Sequence, residues 1–298
     1  NIMPLIQLGL TPILIDCDLS NLNISSKLFI DFLKTNNPKA LLITNVLGFC
    51  ADINIIQEIC NEHGIILLED NCESLGSEAF GRNLGNFGLA ATFSFFVGHH
   101  LSTIEGGMIA TDDEELYNEL LMVRAHGWDR SLSKEMKKKI REKNKIDDFY
   151  SSFTFYDLAY NFRPNEINGF IGNTQLPYWD EIAIKRQKNF KFIHKAIITN
   201  NELIKLNLEH MSLISNFSIP IICKTKKITE KYIDKFTKSK IEVRPIIAGN
   251  IGRQPFFKKY NLSKIVNKNT DFIHKNGFYF GNNSEISTKD LKIARDLL

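Results

Sequence analysis

The 298-residue sequence has little net charge and no long apolar run. Its 37 basic residues nearly balance its 34 acidic residues, which leaves a formal net charge of +3. That balance does not require a nucleic acid or an anionic membrane as partner. No apolar stretch approaches the roughly 18 residues that a membrane-spanning helix needs. We therefore predict a globular protein that acts on a small molecule, with no nucleic acid and no membrane as a partner.

Cysteines are few and scattered, and the sequence contains no C-x-x-C pair. The five cysteines are Cys17, Cys50, Cys60, Cys72 and Cys223. An odd number at irregular spacing argues against a disulfide framework and against a zinc site, so we predict no metal site and a cytoplasmic location. The first residues, NIMPLIQLGL, lack an initiating Met and the basic head of a signal peptide. This start predicts that the sequence is truncated at its N-terminus.

The first half of the sequence alternates short apolar runs with helical patterns. A helix is predicted over residues 51–63, capped by Asp52, and a second helix is predicted to begin at Asp112 with Glu115 completing a capping box. Apolar strands joined by helices indicate a mainly parallel sheet covered by helices on both faces. Ligands of such sheets bind at the carboxyl ends of the strands, where we expect Asp70, His99 and the glycine loop 81–88. The predicted strands cover residues 11–18, 39–49, 64–70, 89–96 and 106–111.

The second half contains a lysine-rich segment and a smaller α/β pattern. Residues 129–150 are interpreted as a solvated helix or insertion rather than as a site for an anionic ligand. After Pro177 a long helical pattern follows, which we interpret as a bridge to a second unit with strands at 217–223, 241–247 and 277–283. The predicted division is a large domain over residues 1–176 and a bridging helix with a small C-terminal α/β domain over residues 177–298.

The candidate chemistry is concentrated between residues 67 and 111. Asp70 closes the apolar run GIILLED, and taken alone it would be read as a turn or cap residue. It is followed by Ser94 in ATFSFF and by His99 in the stretch FSFFVGHHLSTIEGG. Paired histidines taken alone are more often structural than catalytic. None of these residues indicates a site alone, but the acid, the serine, the histidine and the Glu-Gly-Gly turn in this order indicate one together.

This stretch resembles the DegT/DnrJ/EryC1/StrS family, the sugar aminotransferases of fold-type I that use pyridoxal 5'-phosphate. The resemblance covers essentially the whole chain. It implies that Asp70 pairs with the pyridine nitrogen of the cofactor and keeps that nitrogen protonated. It also implies that Ser94 hydrogen-bonds the cofactor phosphate, and that Asn161 reaches the phosphate bound by a neighbouring subunit. A homodimer is therefore the expected working unit.

The sequence departs from the family pattern at one informative position. His99 stands where ordinary members carry the lysine that binds the cofactor covalently, and histidine cannot form that bond. Histidine can act as a base near neutral pH, because its reference pKa is about 6.5. The motif resembles the branch of the family that removes a sugar hydroxyl, the GDP-4-keto-6-deoxymannose 3-dehydratases, in which a family glutamine is replaced by glutamate. Here that residue is Glu73.

The resemblance to this branch implies the cofactors and partners. The cofactor would be pyridoxal or pyridoxamine 5'-phosphate held noncovalently, the amino donor glutamate, and the substrate a nucleotide-linked 4-keto-6-deoxyhexose. His126 matches a histidine that approaches the site across the dimer interface. Arg244, Asn250 and Arg253 form a cluster suited to the sugar or its diphosphate, because guanidinium groups match phosphate oxygens. Family members also begin with a further stretch that holds the cofactor phosphate through backbone N–H groups at a helix start.

Three other functions remain open from the sequence. A related CDP-sugar 3-dehydrase also has the histidine but holds an iron–sulfur cluster, which needs about four converging thiolates, and the isolated cysteines argue against it. A sugar aminotransferase that tolerates histidine would leave nitrogen in its product. A catalytically dead scaffold of the same fold would bind or regulate without reacting.

Overall fold

The computed structural model describes residues 1–247, 249–260 and 267–298. Residue 248, within the predicted substrate segment 244–256, lies outside the described residues. The described residues form ten strands: β1 Ala40–Thr44, β2 Ile66–Asp70, β3 Glu78–Ala79, β4 Arg82–Asn83, β5 Ala90–Ser94, β6 Gly107–Ala110, β7 Met211–Leu213, β8 Ser218–Ile222, β9 Arg244–Pro245 and β10 Gly277–Gly281.

Twelve α-helices pack around these strands in the described part of the chain. They are α1 Ile2–Gln7, α2 Ser26–Leu33, α3 Ile53–Glu62, α4 Glu114–Val123, α5 Lys134–Asn144, α6 Asp148–Ser151, α7 Glu166–Gln175, α8 Trp179–Thr199, α9 Lys226–Lys238, α10 Pro255–Lys259, α11 Lys268–Asn276 and α12 Thr288–Asp296.

The largest sheet has the order β1-β2-β5-β6 and is mainly parallel. Strands β1, β2 and β5 run parallel, and β6 joins the edge antiparallel to β5. The register places Thr44, Asp70 and Thr92 side by side. Parallel strands bring their carboxyl ends to one edge, so the residues that follow β1, β2 and β5 share that edge. The predicted α/β class is confirmed.

Two small antiparallel sheets complete the strand structure. Strands β8, β10 and β9 form one sheet, and β4, β3 and β7 form the other. Strand β8 is buried along its whole length, as is β10 apart from its last residue, which fits their continuous apolar sequences. Helices α9 and α11 contact β10 of the first of these sheets. The predicted division into a large and a small domain stays a prediction.

The long helix α8 joins these parts through one apolar face. Phe190, Ile193 and Ile197 are spaced by three and four residues and are almost fully buried. The ring of Phe190 lies 5.3 Å from the ring of Phe49, which follows β1. One hydrophobic cluster thus runs from the turn after β1 through α8 to Phe278 in β10. Side chains on α8 are consequently held close to the carboxyl ends of the large sheet.

Within the lysine-rich segment 129–150, helix α5 has no buried residue, whereas Asp129 and Leu132 are buried. Arg141 Nε of α5 donates to Asp129 Oδ2 at 2.7 Å, and that carboxylate is buried. The prediction of a solvated helix is confirmed.

The predicted strand over residues 11–18 is wrong, since no strand forms there. Instead, the Asp16 carboxylate accepts hydrogen bonds from the backbone N–H groups of Asn269 and Thr270, each at 2.9 Å. These are in the first turn of α11, so Asp16 satisfies donors that the helix itself leaves unpaired. This long-range capping contact replaces the pairing that the apolar sequence predicts.

Two predicted helix caps are also corrected. Asp52 stands at the start of α3, but its carboxylate bonds Ser26 of α2 instead of the N–H groups of its own helix. The cap of helix α4 is Asp113 rather than Asp112, one residue later than predicted, and its carboxylate accepts from Leu116 N at 2.7 Å.

The glycine loop 81–88 does not lie at the carboxyl ends of the strands, as predicted. It precedes β5 and so lies at the amino end of that strand, where three of its N–H groups donate to the buried Glu69 carboxylate.

Candidate active site

Asp70 ends β2 and presents one carboxylate oxygen to the strand edge. Its Oδ1 accepts from Cys72 N at 3.1 Å and from Thr92 Oγ1 at 3.2 Å, which fixes the orientation of the group. Its Oδ2 accepts from the side-chain amide of Asn1 at 2.7 Å. Oδ2 is thus within reach of an N–H donor, and a ring N–H bound there would take the place of the Asn1 amide. Asp70 therefore fits the predicted role of partner to a pyridine nitrogen.

Glu73 lies three residues after Asp70 and is buried. Its Oε2 accepts from Leu47 N at 2.6 Å, in a turn where Leu47 has a left-handed conformation with φ of 56°. Burial raises the pKa of Glu73 to about 7; the Leu47 hydrogen bond acts in the opposite direction and the charge of Asp70 acts in the same direction as burial. The carboxyl group therefore changes its charge near neutral pH.

His99 follows the carboxyl end of β5 and rests edge-on against two aromatic rings. Its ring centroid lies 5.6 Å from that of Phe96 and 5.2 Å from that of Phe217. Its Nδ1 is buried without a hydrogen-bond partner among the described residues. Burial lowers the pKa of His99, the positive charge of Arg186 lowers it further, and Asp70 opposes both. The His99 imidazole can therefore accept a proton, because it starts neutral and the negative charge of Asp70 favours its protonated form.

The neighbouring His100 has a different environment. It is buried, and its Nε2 lies 2.6 Å from the Ser215 carbonyl oxygen, which requires the ring nitrogen to donate. Burial lowers the pKa of His100 to about 3, with a further lowering by Arg186. A histidine that stays neutral and is fixed by a backbone carbonyl serves to anchor the turn that carries His99.

The loop from residue 102 to 106 is fastened to helix α7. Asn168 Nδ2 donates to the carbonyls of Thr103 at 2.6 Å and Glu105 at 3.0 Å. Gln175 accepts from Ser102 N at 2.9 Å and donates back to the Ser102 carbonyl. Gly106, at φ of 158°, adopts a backbone that few other residues tolerate, and a Cβ there would meet Thr103 Oγ1 at 2.4 Å. The Glu-Gly-Gly turn therefore fixes the segment after His99.

Ser94 is the last residue of β5 and stands on the same strand edge. Its Oγ accepts from Phe96 N at 3.2 Å. That bond uses the hydroxyl as an acceptor and leaves its hydrogen for an oxygen ligand. The position fits the predicted contact with a phosphate group.

Asn161 and His126 lie close to each other. The backbone of Asn161 pairs with Ala125, and His126 N donates to the Tyr160 carbonyl at 2.7 Å. The Asn161 side chain is exposed and accepts from Arg163 at 3.2 Å. The structure thus brings these two predicted residues next to each other.

The predicted substrate cluster Arg244, Asn250 and Arg253 belongs to the small sheet and its following loop. Arg253 makes a two-pronged contact with Asp271, with both distances 2.7 Å, and Asn250 Nδ2 donates to the same carboxylate at 2.5 Å. Arg244 pairs with Glu242 and lines a cavity of about 300 Å³. Asp271 therefore joins Asn250 to Arg253, whereas Arg244 stands separately at the cavity.

Sequence reasoning missed Arg186 and Phe217. Arg186 lies on α8 with 4% of its surface exposed, and Phe217 immediately precedes β8. Neither occurs in a recognisable motif, and each is more than 80 positions along the chain from His99. The only local signal was an arginine on the apolar side of a predicted helix.

The described residues offer neither a metal cluster nor a membrane-spanning helix. No cluster of three or more His, Cys, Asp or Glu side chains there is arranged to hold a metal ion. None of the described helices is both long and apolar enough to cross a membrane. All five cysteines are free, and burial raises their thiol pKa values.

The mainly parallel sheet, its antiparallel edge strand, and an acid, a serine and a histidine at its carboxyl edge define the class: an enzyme of the fold-type I, pyridoxal-phosphate-dependent group. Residues 2–297 match the DegT/DnrJ/EryC1/StrS aminotransferase family. The chain belongs to that family.

The relatives that it resembles include two curated enzymes, both named GDP-4-keto-6-deoxy-D-mannose 3-dehydratase. The one from Escherichia coli O55:H7 is 36% identical over 300 residues, covering 99% of this chain and 76% of the relative. The one from Yersinia pseudotuberculosis is 37% identical over 302 residues, covering 99% and 75%. A solved structure described as GDP-4-keto-6-deoxymannose-3-dehydratase with a trapped PLP-glutamate geminal diamine superimposes with a TM-score of 0.85 at 34% identity, covering 99% of this chain and 76% of that one.

Proposed function

We propose that this chain is a pyridoxal-phosphate-dependent dehydratase that removes the C3 hydroxyl of a nucleotide-linked 4-keto-6-deoxyhexose, with the GDP-linked 4-keto-6-deoxymannose as the substrate to test first. The observation that carries the proposal is the imidazole of His99, placed after β5 with an unpartnered buried nitrogen and a lowered pKa. The relatives at 36% and 37% identity and the PLP-glutamate structure support the substrate, the cofactor and glutamate as the amino donor.

The residues of the chain fit the cofactor in its noncovalent form. Asp70 Oδ2 is placed to accept from a protonated ring nitrogen, and Ser94 can donate to a phosphate oxygen. Since no lysine stands at position 99, the cofactor is retained by such contacts rather than by a covalent bond. When bound, the cofactor in its amine form supplies the group that condenses with the C4 ketone and the ring that accepts electrons.

The chemistry assigned to the protein is proton transfer. Because burial and the charge of Arg186 lower its pKa, His99 is neutral at pH 7 and can take up, at a ring nitrogen, the proton that the bound cofactor would release. The C3 hydroxyl then leaves the sugar as water, and release and hydrolysis of the product free ammonia. Overall, the keto sugar and glutamate become the 3-deoxy keto sugar, 2-oxoglutarate and ammonia. A lysine at position 99 could pass the proton on to the sugar C4 and complete an amine transfer, whereas a histidine there favours elimination.

The product identifies the reaction. The purified protein is incubated with pyridoxamine phosphate, glutamate and the GDP- or CDP-linked 4-keto-6-deoxyhexose, and the sugar product is weighed by mass spectrometry. A product that has lost one oxygen atom supports dehydration and names the nucleotide that is accepted. A product that has gained an amine establishes an aminotransferase, and an unchanged sugar with no change in cofactor absorbance establishes a dead scaffold.

The same proposal includes a homodimer. The segment from α6 to α7 exposes large apolar side chains, among them Phe153 at 74%, Leu158 at 93% and Phe162 at 70%. Monomeric proteins rarely expose a contiguous apolar patch of this kind, so a second copy is the expected cover. Asn161 and His126 lie at this surface, which supports their assignment to the neighbouring subunit's site.

Light scattering tests the dimer. The native chain should show about twice its monomer mass, and Phe162→Asp should reduce the mass to that of the monomer, since a charge cannot be buried there without a large penalty. A native chain that is monomeric at all concentrations contradicts the dimer.

The remaining assignments complete the proposal. Residues 1–176 would form the cofactor-binding part and residues 177–298 the bridging helix and the small domain. Asn250, Arg253 and Arg244 would contact the sugar diphosphate, with Asp271 holding the first two in place. Five free thiols are consistent with a cytoplasmic location.

A further inference from the structure

Arg186 is a buried arginine that lacks the usual carboxylate partner. In the part of the chain that the structure describes, no acidic side chain forms an ion pair with it, and its Nε has no hydrogen-bond partner. Its Nη1 donates to the backbone carbonyls of Asn282, Phe217 and Asn216 at 2.5, 3.3 and 3.4 Å. Burial lowers the pKa of Arg186 to about 10, so it remains charged at neutral pH. A buried charge without an acidic partner destabilises a fold, so we infer that Arg186 has a role other than stabilising the fold.

The carbonyls that Arg186 binds belong to the segment that contacts His99. Phe217 N donates to the Leu47 carbonyl at 3.0 Å, and the Phe217 carbonyl accepts from Arg186. His100 holds the Ser215 carbonyl at 2.6 Å. The backbone of Phe217 is therefore held from both sides. Its ring lies edge-on to the His99 imidazole, with 5.2 Å between the ring centroids. The Phe217 carbonyl also accepts from Asn282 N at 3.3 Å, and Arg186 binds the Asn282 carbonyl, so Arg186 holds this backbone both directly and through Asn282.

The charges around His99 come from three elements. Asp70 at the end of β2 favours the protonated imidazole, whereas Arg186 on α8 favours the neutral one. The adjacent His100 remains neutral, because burial keeps its pKa at about 3. The two aromatic neighbours, Phe96 and Phe217, carry no charge. Arg186 is therefore the positive group that lowers the pKa of the His99 imidazole, whereas Asp70 raises it.

We propose that Arg186 is a positioning residue for His99, holding the Asn216–Phe217 backbone so that the Phe217 ring forms the wall against which the imidazole rests. The proposal rests on the assignment of His99 as the base in the proposed function. The uncompensated charge of Arg186 has a second effect, since it favours the neutral imidazole that can accept a proton.

The test compares Arg186→Met with Arg186→Lys in the 298-residue chain. Methionine fills similar space without charge, and replacing a buried charge by an apolar residue is often tolerated. Lysine keeps the charge but loses the planar group that reaches several carbonyls. The His99 imidazole is followed by NMR during a pH titration of chain labelled with ¹³C-histidine, and its signal is assigned from its loss in His99→Asn. The exposed His63 is the internal control.

In Arg186→Met the pKa of His99 should rise, and the acid limb of the kcat profile should move to higher pH. In Arg186→Lys the pKa of His99 should stay near the native value, whereas kcat falls with KM unchanged because the ring wall is displaced. An unchanged His99 pKa and unchanged His99 chemical shifts in folded Arg186→Met overturn the proposal.

A second variant covers the case in which Arg186→Met does not fold, as judged by near-ultraviolet circular dichroism. Phe217→Leu removes the ring wall and leaves the backbone bonds to Arg186. It should remove the part of the ring-current shift of the His99 protons that comes from Phe217, leaving the part from Phe96, and lower kcat; unchanged shifts and unchanged kcat overturn the proposal. The titration needs no substrate, so a chain that forms no deoxy sugar refutes the proposed function without deciding the role of Arg186.

Discussion

Replacing Glu73 by glutamine should remove a pH-dependent loss of stability. Burial raises the pKa of Glu73 from its ordinary value of 4.5 to about 7, so the folded chain holds this proton over a range in which the unfolded chain has released it. The free energy of unfolding must then fall as the pH rises from 4.5 to about 7. At about 1.36 kcal/mol per pH unit the loss amounts to roughly 3 kcal/mol. Glutamine keeps an oxygen acceptor for the Leu47 N–H and does not titrate.

Urea denaturation at several values between pH 4.5 and pH 8 measures this effect. The advantage of Glu73→Gln over the native chain should grow by about 3 kcal/mol across that interval and then stay constant. Glu62→Gln, the same exchange at an exposed position, should follow the native profile. If the native and Glu73→Gln profiles run parallel, the carboxyl is not protonated in the folded chain and the reasoning fails.

Two further predictions concern packing and the solvated helix. Gly48→Ala should lower the free energy of unfolding by several kcal/mol, because Gly48 has φ of 97° and a Cβ would meet the Asn216 Cα at 2.4 Å; thermal unfolding measures this. Asp129→Asn should weaken the buried contact to Arg141 and loosen α5, so trypsin should cleave that lysine-rich helix faster.

Each of these has a matched control. Gly64→Ala shares the left-handed backbone, with φ of 63°, but its Cβ would meet no atom within 4 Å, so its loss should be smaller than that of Gly48→Ala. Equal losses would show that the clash with Asn216 does not matter. Glu142→Gln removes an exposed ion pair with Lys138 in the same helix and should leave the cleavage rate unchanged. A rate for Asp129→Asn equal to that control would contradict the role of the buried contact.

The part of the site that sequence reasoning predicts is the part encoded locally. The apolar runs before Asp70 and Ser94 are strands, they pair in parallel, and the residues after them come to one edge. Strand length and direction alone therefore place the acid, the serine and the histidine at the same edge of the sheet. The spacing of residues on α8 likewise predicts its buried face.

The part that sequence reasoning misses depends on contacts between distant segments. Residues 11–18 are as apolar as the true strands, yet Asp16 binds the start of α11 more than 250 positions later. Arg186 and Phe217 join the site only after α8 and β8 have packed against the turn following β1. No local pattern specifies such contacts, because they depend on the tertiary arrangement.

The most direct test of the account is the His99→Asn variant, measured for cofactor binding and for product formation in the same preparation. Asparagine keeps a polar side chain but cannot accept the proton. The variant should bind pyridoxamine phosphate, followed by absorbance, within about threefold of the native affinity, and dehydration should slow by about a hundredfold or more. His63→Asn should behave as the native chain in both assays. A His99→Asn variant that forms the 3-deoxy sugar at nearly the native rate would contradict the assignment of the base.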